Sequence, residues 1–268
     1  MTAPPKKAFV LAAGMGERMR PLTNNCPKPL LTVGGRTMLD RSLEALAAAG
    51  VEEVVVNNYY LGHMIVEHLK QRKIPRITHS SETELLDTGG GVKRMLRFFG
   101  GEPFYVLNAD VVWTDGPVPT LTALAEKWDA EKMDLLLLLH AAADVPAYAG
   151  KGDYYLPDGA DRPVFAKGTA QAANYIFAGP RIVHPRLFKD APEGAFSFLQ
   201  LFHKAEAAGR LYGLRHEGEW YHVGTPEALA DTNRILARQL TTGTTSSSSA
   251  LSSTSFSSAA AARVLLED

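Results

Sequence analysis

The order of its segments predicts an α/β protein with three layers, α/β/α, around a mostly parallel central sheet. Short apolar segments alternate with segments of helical periodicity from residue 8 to residue 140, which is typical of right-handed βαβ crossovers. The first apolar segment runs directly into a loop of small residues, where open α/β sheets bind ligands. Residues 134–140, DLLLLLH, are apolar enough to lie in the centre of a sheet covered on both faces. These features indicate a Rossmann-like fold.

The first half of the chain supplies the predicted parallel strands and their crossovers. Residues 37–49 carry apolar side chains at helical spacing and stop at Gly50, a usual residue just after a helix. The same criteria predict strands at residues 8–11, 52–58, 74–79 and 104–108, and helices at residues 37–49, 63–72 and 92–99. Ligands are expected at the carboxyl ends of these strands, where the sequence has Gly14, Asn57, Ser80 and Asp110.

The second half departs from this alternation. A helix is predicted at residues 117–128, and the apolar strand 134–140 follows it. Between residues 147 and 178 come short aromatic segments joined by Gly and Pro turns, GDYYL, RPVFAK and NYIFAG. They are more typical of antiparallel hairpins than of crossovers, and they predict a small antiparallel insertion that forms the far wall of a cleft. Helices are then predicted at residues 181–188, 196–208 and 226–240, with a strand at residues 211–216.

Composition predicts one folded domain followed by a tail. The chain has 268 residues, of which 46% are hydrophobic, enough for one large α/β domain with a full core. That domain is predicted to cover residues 1–240. Residues 241–268 are mostly Ser, Thr and Ala with little to bury, so they are predicted to be disordered.

Charge and cysteine content narrow the class of protein further. The formal net charge is -1 without a basic stripe, which gives no electrostatic support for binding nucleic acid or an anionic membrane. No segment reaches the length needed to span a bilayer, and no apolar run follows a charged leader. Cys26 is the single cysteine, which excludes an internal disulfide and fits a reducing compartment. We therefore expect a cytoplasmic protein. The sequence leaves a monomer and a homodimer both open.

The loop after the first strand has the composition of a polyphosphate site. Its sequence from residue 11 to residue 30 is LAAGMGERMRPLTNNCPKPL. Small residues allow backbone N–H groups to approach phosphate oxygens, while Arg offers a planar fork and Lys a point charge. An ordinary turn with solvated charges is the alternative, but it leaves unexplained why three cations, Arg18, Arg20 and Lys28, share one loop with two glycines. The spacing fits neither of the two familiar glycine-rich phosphate motifs.

At these residues the chain resembles the sugar-phosphate nucleotidyltransferases. Their signature, L-A-A-G-x-G-x-R-M-x-P-L-T followed by P-K-P-L, is matched from residue 11 to residue 30. The later segments ETELLDTGGG, LNAD and WYHVGT recur in the family's order, and the resemblance covers roughly residues 7–239. Within the family, the short chain and the TGGG segment are most similar to the bacterial N-acetylmuramate-1-phosphate uridylyltransferases of cell-wall recycling. In this family the antiparallel insertion receives the sugar.

The resemblance implies an enzyme that joins UTP and a sugar 1-phosphate to give a UDP-sugar and pyrophosphate. Its partners would be these small molecules. Alternatives within the class are another sugar 1-phosphate, such as that of glucose, mannose or a heptose, or another nucleotide, dTTP, GTP or CTP. A nucleotide-binding subunit with weakened catalysis is the alternative from a different class.

Transfer of a nucleotidyl group requires in-line geometry and neutralised phosphate charge rather than a strong base. Asp110 ends the apolar segment FYVLNAD, where a carboxylate at the rim of the sheet suits Mg²⁺. The alternative is an ordinary Asp in the turn at the end of a strand.

The catalytic candidates are Arg18, Lys28 and Asp110. The nucleotide-binding candidates are Leu11, Ala12, Ala13, Gly14, Gly16, Glu82, Thr88, Gly89 and Asn108, with Glu82 assigned to the base and Thr88 alternatively to a helix cap. The sugar-phosphate candidates are Gly152, Asp153 and Lys167, with Asn108 also considered for sugar hydroxyls.

Position 222 departs from the family pattern. The family commonly has Asp in that slot as the second protein ligand of Mg²⁺, and this chain has His222. Imidazole suits Mn²⁺ or Zn²⁺ better than Mg²⁺. His222 could therefore bind a softer divalent metal, hydrogen-bond a phosphate while Asp110 and substrate oxygens hold Mg²⁺, or mark a weakened site.

Overall fold

A nine-stranded mixed sheet forms the centre of the protein, which is described here from a computed structural model that covers residues 3–145, 150–165 and 173–248. The strands of these ranges are β1 (Lys7–Leu11), β2 (Thr32–Val33), β3 (Arg36–Thr37), β4 (Glu53–Asn58), β5 (Arg76–Ser81), β6 (Phe104–Asn108), β7 (Val112–Trp113), β8 (Leu135–Ala141), β9 (Tyr154–Tyr155), β10 (Val164–Phe165), β11 (Tyr175–Val183), β12 (Leu211–Arg215) and β13 (Trp220–Tyr221). The helices are α1 (Met38–Ala48), α2 (Gly62–Leu69), α3 (Asp87–Arg94), α4 (Thr120–Lys127), α5 (Leu199–Ala207) and α6 (Pro226–Ser248).

The sheet is mostly parallel in its first half and mixed in its second. Strands β6, β1, β4 and β5 lie side by side in parallel, as the alternation of strands and helices predicted. Strand β11 pairs antiparallel with both β6 and β8, and β12 runs parallel to β8 at the far edge. The two-residue strands β9 and β10 extend the sheet beside β11. The antiparallel insertion is therefore continuous with the central sheet.

Helices cover both faces of this sheet, because alternate residues of each strand point to opposite sides. On one face Ala8 and Val10 of β1 pack in a buried cluster with α1, α2 and α4. On the other face Phe9 of the same strand packs in a second cluster with α3 and α5. A third, smaller cluster joins the first loop to β13 and α6 through Met19, Tyr221 and Leu236. The predicted three-layer α/β/α fold is confirmed.

One predicted helix is wrong. Residues 181–188 were expected to be helical, but β11 continues to Val183 and only a 3-10 turn, Pro185–Phe188, follows. Strand pairing on both sides of Arg181, Ile182 and Val183 outweighs the local helical spacing, since β-branched residues pack well in a sheet. Proline at position 185 then ends the strand pairing.

The boundaries of helices α3 and α6 differ most from the prediction. Helix α3 begins at Asp87, ahead of the predicted start at residue 92, and ends at Arg94, with a 3-10 turn over Leu96–Phe99. Helix α6 continues to Ser248 instead of ending at residue 240, so it enters the segment predicted to be disordered. An established helix gains one hydrogen bond per added residue, and no proline interrupts residues 241–248. The disorder predicted for residues 249–268 lies outside the described residues.

Candidate active site

The carboxyl ends of β1 and β6 open into a cavity of about 650 Å³, called here the larger cavity. Its floor is the loop that follows β1, and Asn57 at the end of β4 also lines it. Most of the predicted site residues line this cavity: Leu11, Ala12, Ala13, Gly14, Gly16, Arg18, Lys28, Thr88, Asn108 and Asp110. Gly14 has no heavy atom within 4 Å of the position that a Cβ would take, so the loop backbone is open to a ligand there.

Asn57 and Glu82 hold the loop backbone from behind. The Ala12 N–H donates to Oδ1 of Asn57 at 2.7 Å, and Nδ2 of Asn57 donates to Oε1 of Glu82 at 2.7 Å. Oε2 of Glu82 accepts from the Leu86 N–H at 3.0 Å, and Glu82 is only 8% exposed. The structure therefore brings Glu82 to Asn57 and the loop before α3. It does not bring Glu82 to the wall of the larger cavity.

The three glycines after Thr88 lie inside α3, because the helix must pack closely against its neighbours. The Gly89 N–H donates to the Phe196 carbonyl at 2.8 Å, and a Cβ on Gly89 would lie 2.8 Å from that same oxygen. A Cβ on Gly91 would lie 2.9 Å from Oε1 of Glu82. Thr88 faces the larger cavity, but Gly89 does not line it. The Thr88 hydroxyl accepts from the Phe198 N–H at 2.9 Å, so it is not the cap of α3.

A second cavity of about 250 Å³, the smaller cavity, adjoins the first. Asp153, Phe177 and His222 line it, and the Asp153 carboxylate is held by the Phe177 N–H at 2.9 Å. Gly152 does not line it; its φ of 72° turns the chain ahead of β9. The predicted sugar-phosphate residue Lys167 lies outside the described residues. Five residues line both cavities: Arg18, Lys28, Asn108, Asp110 and Gly224.

Lys28 and Asp110 form an ion pair where the two cavities meet. Nζ of Lys28 lies 2.6 Å from Oδ2 of Asp110, and their side chains are 11% and 39% exposed. Lys28 begins the 3-10 turn Lys28–Leu30 and has a proline on either side, Pro27 and Pro29. The fixed φ angles of these prolines stiffen the backbone. Arg20 is exposed and lines neither cavity.

His222 lies beside this pair in the smaller cavity. Burial lowers the pKa of its imidazole below the ordinary value, and the positive charges of Arg18 and Lys28 lower it further against the opposing effect of Asp110. The imidazole is therefore neutral at neutral pH. No group of three or more His, Cys, Asp or Glu side chains in the described ranges is arranged to hold a metal. The donor set is one carboxylate, Asp110, which suits Mg²⁺ when substrate oxygens complete its coordination.

Two features of the site escaped sequence reasoning. Leu85 and Asp87 line the larger cavity, and Asp87 has a φ of 58° that begins α3 abruptly. The acidic segment before the glycines was the available signal. Arg181 was assigned to a helix, whereas it is a buried residue of β11 that donates to Asn108 at 2.9 Å. No sequence signal marks that contact.

No helix in the described part of the chain is both long enough and apolar enough to cross a bilayer.

Comparison with known proteins shows the family of the chain. The nucleotidyl transferase family model matches residues 7–239. The chain is 40% identical to N-acetylmuramate alpha-1-phosphate uridylyltransferase of Caulobacter vibrioides, over 85% of this chain and 96% of that protein. It is 36% identical to the enzyme of the same name from Neisseria meningitidis serogroup B, over 82% and 93%. A structure of UDP-glucose pyrophosphorylase complexed with UDP-glucose shares the fold, with a TM-score of 0.71 and 18% identity over 87% of this chain and 99% of that one. The chain therefore belongs to the nucleotidyl transferase family.

Proposed function

We propose that this protein transfers the uridylyl group of UTP to a sugar 1-phosphate, with N-acetylmuramate 1-phosphate as the first candidate. The observation that carries the proposal is the Lys28–Asp110 pair, which lies where the two cavities meet. Two substrates that occupy adjoining cavities must bring their phosphates together at this place. The names of the two bacterial relatives support the choice of uridine and of the sugar.

UTP occupies the larger cavity in this proposal. The backbone of Ala12, Ala13 and Gly14 faces its base and phosphates, and Arg18 binds the phosphate chain in fork geometry. Glu82 contributes indirectly, because it fixes Asn57 and through it the Ala12 N–H. The sequence-based assignment of Glu82 to direct recognition of the base is therefore replaced by a role in holding the loop.

The sugar 1-phosphate supplies the nucleophile. One of its phosphate oxygens attacks the α-phosphorus of UTP in line, and the bond from that phosphorus to the oxygen bridging to the β-phosphate breaks. The products are a UDP-sugar and pyrophosphate. No general base is needed, because a phosphate monoester with a second pKa of about 6 is already ionised at neutral pH. Lys28 stabilises the charge that develops on the α-phosphate.

Mg²⁺ is the proposed metal, and Asp110 is the residue that would hold it. Bound there with oxygens of the nucleotide, it would neutralise phosphate charge and align the reacting groups. His222 is neutral, and we assign it a hydrogen bond to a phosphate oxygen. Asp153 and the Asn108 amide are the proposed contacts to the sugar 1-phosphate, and Gly152 and Lys167 stay candidates from the sequence alone.

A cytoplasmic location suits this reaction, since UTP is a cytoplasmic nucleotide and the sequence has one cysteine, Cys26. The proposed pathway role is recycling of cell-wall sugars, taken from the resemblance to the bacterial enzymes. The proposed reaction is compatible with either a monomer or a homodimer.

The test is a matrix of pyrophosphate release, with five nucleoside triphosphates against a panel of sugar 1-phosphates, run in Mg²⁺ and again in Mn²⁺. We expect the fastest release with UTP and N-acetylmuramate 1-phosphate, at similar rates in both metals if His222 is not a ligand. A rate in Mn²⁺ far above that in Mg²⁺ would make His222 a ligand. Faster release with another pair would replace the substrate, and nucleotide binding without release would favour the non-catalytic subunit.

A further inference from the structure

Arg181 is a buried cation behind the proposed site. It is 1% exposed, and in the described part of the chain it has no carboxylate partner. Its guanidinium carbon lies 5.3, 4.5 and 5.8 Å from the ring centres of Phe177, Phe198 and Phe202. Burial lowers the pKa of the guanidinium to about 9, which leaves it protonated at neutral pH. A buried charge of this kind costs free energy unless hydrogen bonds compensate for the lost hydration.

The hydrogen bonds of Arg181 lead directly to the site. Nη1 donates to Oδ1 of Asn108 at 2.9 Å and to the Gly179 carbonyl at 2.8 Å. Guanidinium groups donate and never accept, so the amide of Asn108 must turn its oxygen towards Arg181. Its Nδ2 then has no hydrogen-bond partner among the described residues, and Asn108 lines both cavities. Two N–H groups are left for a ligand.

Asn57 shows the opposite arrangement at the end of β4. Its buried neighbour is Glu82, which only accepts as a carboxylate, so Nδ2 of Asn57 turns towards it at 2.7 Å. The freed Oδ1 then accepts from the Ala12 N–H. The same type of side chain thus offers an acceptor at the end of β4 and donors at the end of β6. In each case the buried neighbour, Glu82 or Arg181, determines which end of the amide faces the site.

We infer that Arg181 is a positioning residue that fixes the Asn108 amide so that its N–H groups donate to an acceptor oxygen of the sugar 1-phosphate. The sugar 1-phosphate is the substrate concerned because Phe177 and Gly179, the neighbours of Arg181 on β11, line the smaller cavity. The inference rests on the proposed function for the identity of that substrate. Arg181 itself touches no substrate and acts through Asn108.

The first test is steady-state kinetics of Arg181→Met. Methionine fills a similar space among the three rings, so the variant should fold with a melting temperature no lower than that of the wild type. Loss of one fixed hydrogen bond should raise KM for the sugar 1-phosphate about tenfold, with KM for UTP within about twofold. Arg181→Lys keeps a donor and should recover most of the affinity. Phe202→Leu alters the same aromatic cluster without touching Asn108, and it should leave both KM values unchanged.

A double-mutant cycle and a spectrum separate this inference from the proposed function. In an Asn108→Ala background Arg181→Met should have no further effect on KM, because the two residues act as one unit. The side-chain amide ¹⁵N–¹H signals of Asn108, assigned with Asn108→Ala, should shift in Arg181→Met and stay in place in Phe202→Leu. This spectrum needs no turnover, so it tests the Arg181 contact even if the wild type forms no UDP-sugar.

Three results would overturn the inference. The first is an unchanged KM for the sugar 1-phosphate in Arg181→Met of an active enzyme. The second is additive effects in the double variant. The third is a side-chain amide signal of Asn108 that does not shift in Arg181→Met. Failure of the wild type to form a UDP-sugar, with the Asn108 signals behaving as expected, would contradict the proposed function alone.

Discussion

The charge balance of Lys28 and Asp110 is central to the site at the scale of single residues. The two residues are far apart in sequence and 2.6 Å apart in space. In the free protein each satisfies the other, so neither charge is left unpaired in a partly buried place. In the proposed complex a bound nucleotide would offer Lys28 a stronger anion, and Asp110 would hold the Mg²⁺. The pair therefore keeps both groups in position before substrates arrive.

Lys28→Met should lower kcat by about 100-fold or more, since the lost cation acts on charge that develops during transfer. The apolar stem remains packed, so the affinity for UTP should change by less than about fivefold. Single-turnover kinetics and nucleotide titration measure the two quantities. Arg20→Ala is the matched control, because Arg20 belongs to the same loop but is exposed and outside both cavities. Unchanged kcat with a large loss of UTP affinity would assign Lys28 to ground-state binding only.

Sequence reasoning found the residues whose signals are local. Arg18, Lys28 and Asp110 lie in a cation-rich loop and at a strand end, and the structure brings them together at one junction. Asn57 was expected at a ligand-binding edge, but its contact with Ala12 depends on the packing of two strands. Arg181 carries no local signal at all, because its partner Asn108 comes from a neighbouring strand.

At the scale of elements, the glycines of α3 allow the helix to pack closely, and the residues just before them line the larger cavity. Gly89, the first of its glycines, was expected to bind the nucleotide. Instead Gly89 and Gly90 donate backbone hydrogen bonds to the Phe196 carbonyl, at 2.8 and 3.2 Å. The side of the helix start that faces the larger cavity is formed by Asp87 and Thr88. Spacing in sequence could not reveal this, since it requires the position of the loop before α5.

Gly90→Ala should therefore lower the stability of the protein, whereas Gly14→Ala should lower its affinity for UTP. A Cβ on Gly90 would collide with the Gly194 carbonyl, so this variant should lose about 2 kcal/mol of unfolding free energy in urea. A Cβ on Gly14 meets nothing within 4 Å and points into open space beside the larger cavity. Gly14→Ala should keep its stability and bind UTP at least about tenfold more weakly. Equal stability of the two variants would contradict the close packing of α3.

Strand β11 explains why the mixed half of the sheet was harder to predict than the parallel half. The parallel strands β1, β4, β5 and β6 have regular crossovers, and each was predicted to within two residues at its ends. Strand β11 pairs with β8 on both sides of an irregularity between Phe177 and Arg181, where Gly179 has a φ of 106°, and it pairs with β6 only after that irregularity. Such an interruption breaks the alternation of side chains that identifies a strand. The segment after it therefore looked helical.

At the scale of the whole molecule, Asp134 ties three distant segments together at the edge of the core. It precedes β8 and accepts hydrogen bonds from Arg186, after β11, and from Arg210, before β12. Burial alone would raise the pKa of the Asp134 carboxyl, but the hydrogen bonds from Arg210 and Arg186 outweigh it, and the pKa lies below its ordinary value. The carboxylate therefore stabilises the folded protein.

Asp134→Asn should cost about 2 kcal/mol of unfolding free energy at pH 7, because a neutral amide oxygen accepts weaker hydrogen bonds from Arg186 and Arg210 than a carboxylate does. The cost stays moderate since Arg186 and Arg210 can both reach water. A folded-state pKa below that of the unfolded chain stabilises at neutral pH, and this stabilisation is lost as the pH falls through the folded-state value. Urea unfolding at pH 7 and near pH 3 should show the difference from wild type shrinking in acid.

The control for this prediction is Glu67→Gln, which removes an exposed pair with Lys70. Surface pairs of this kind contribute little, so its unfolding free energy should equal that of the wild type at both pH values. If Asp134→Asn were as stable as the wild type at pH 7, the three segments would be held by apolar packing alone.

Formation of a UDP-sugar can be followed by ³¹P NMR of the full chain with UTP, N-acetylmuramate 1-phosphate and Mg²⁺. We expect the phosphate monoester signal to disappear while signals of a UDP-sugar and of pyrophosphate grow in equal amounts. Asp110→Asn should bind UTP and give neither product. Binding of UTP by the wild-type protein without any diphosphate product, or equal turnover in Asp110→Asn, would contradict the claim that the junction of the two cavities joins these substrates.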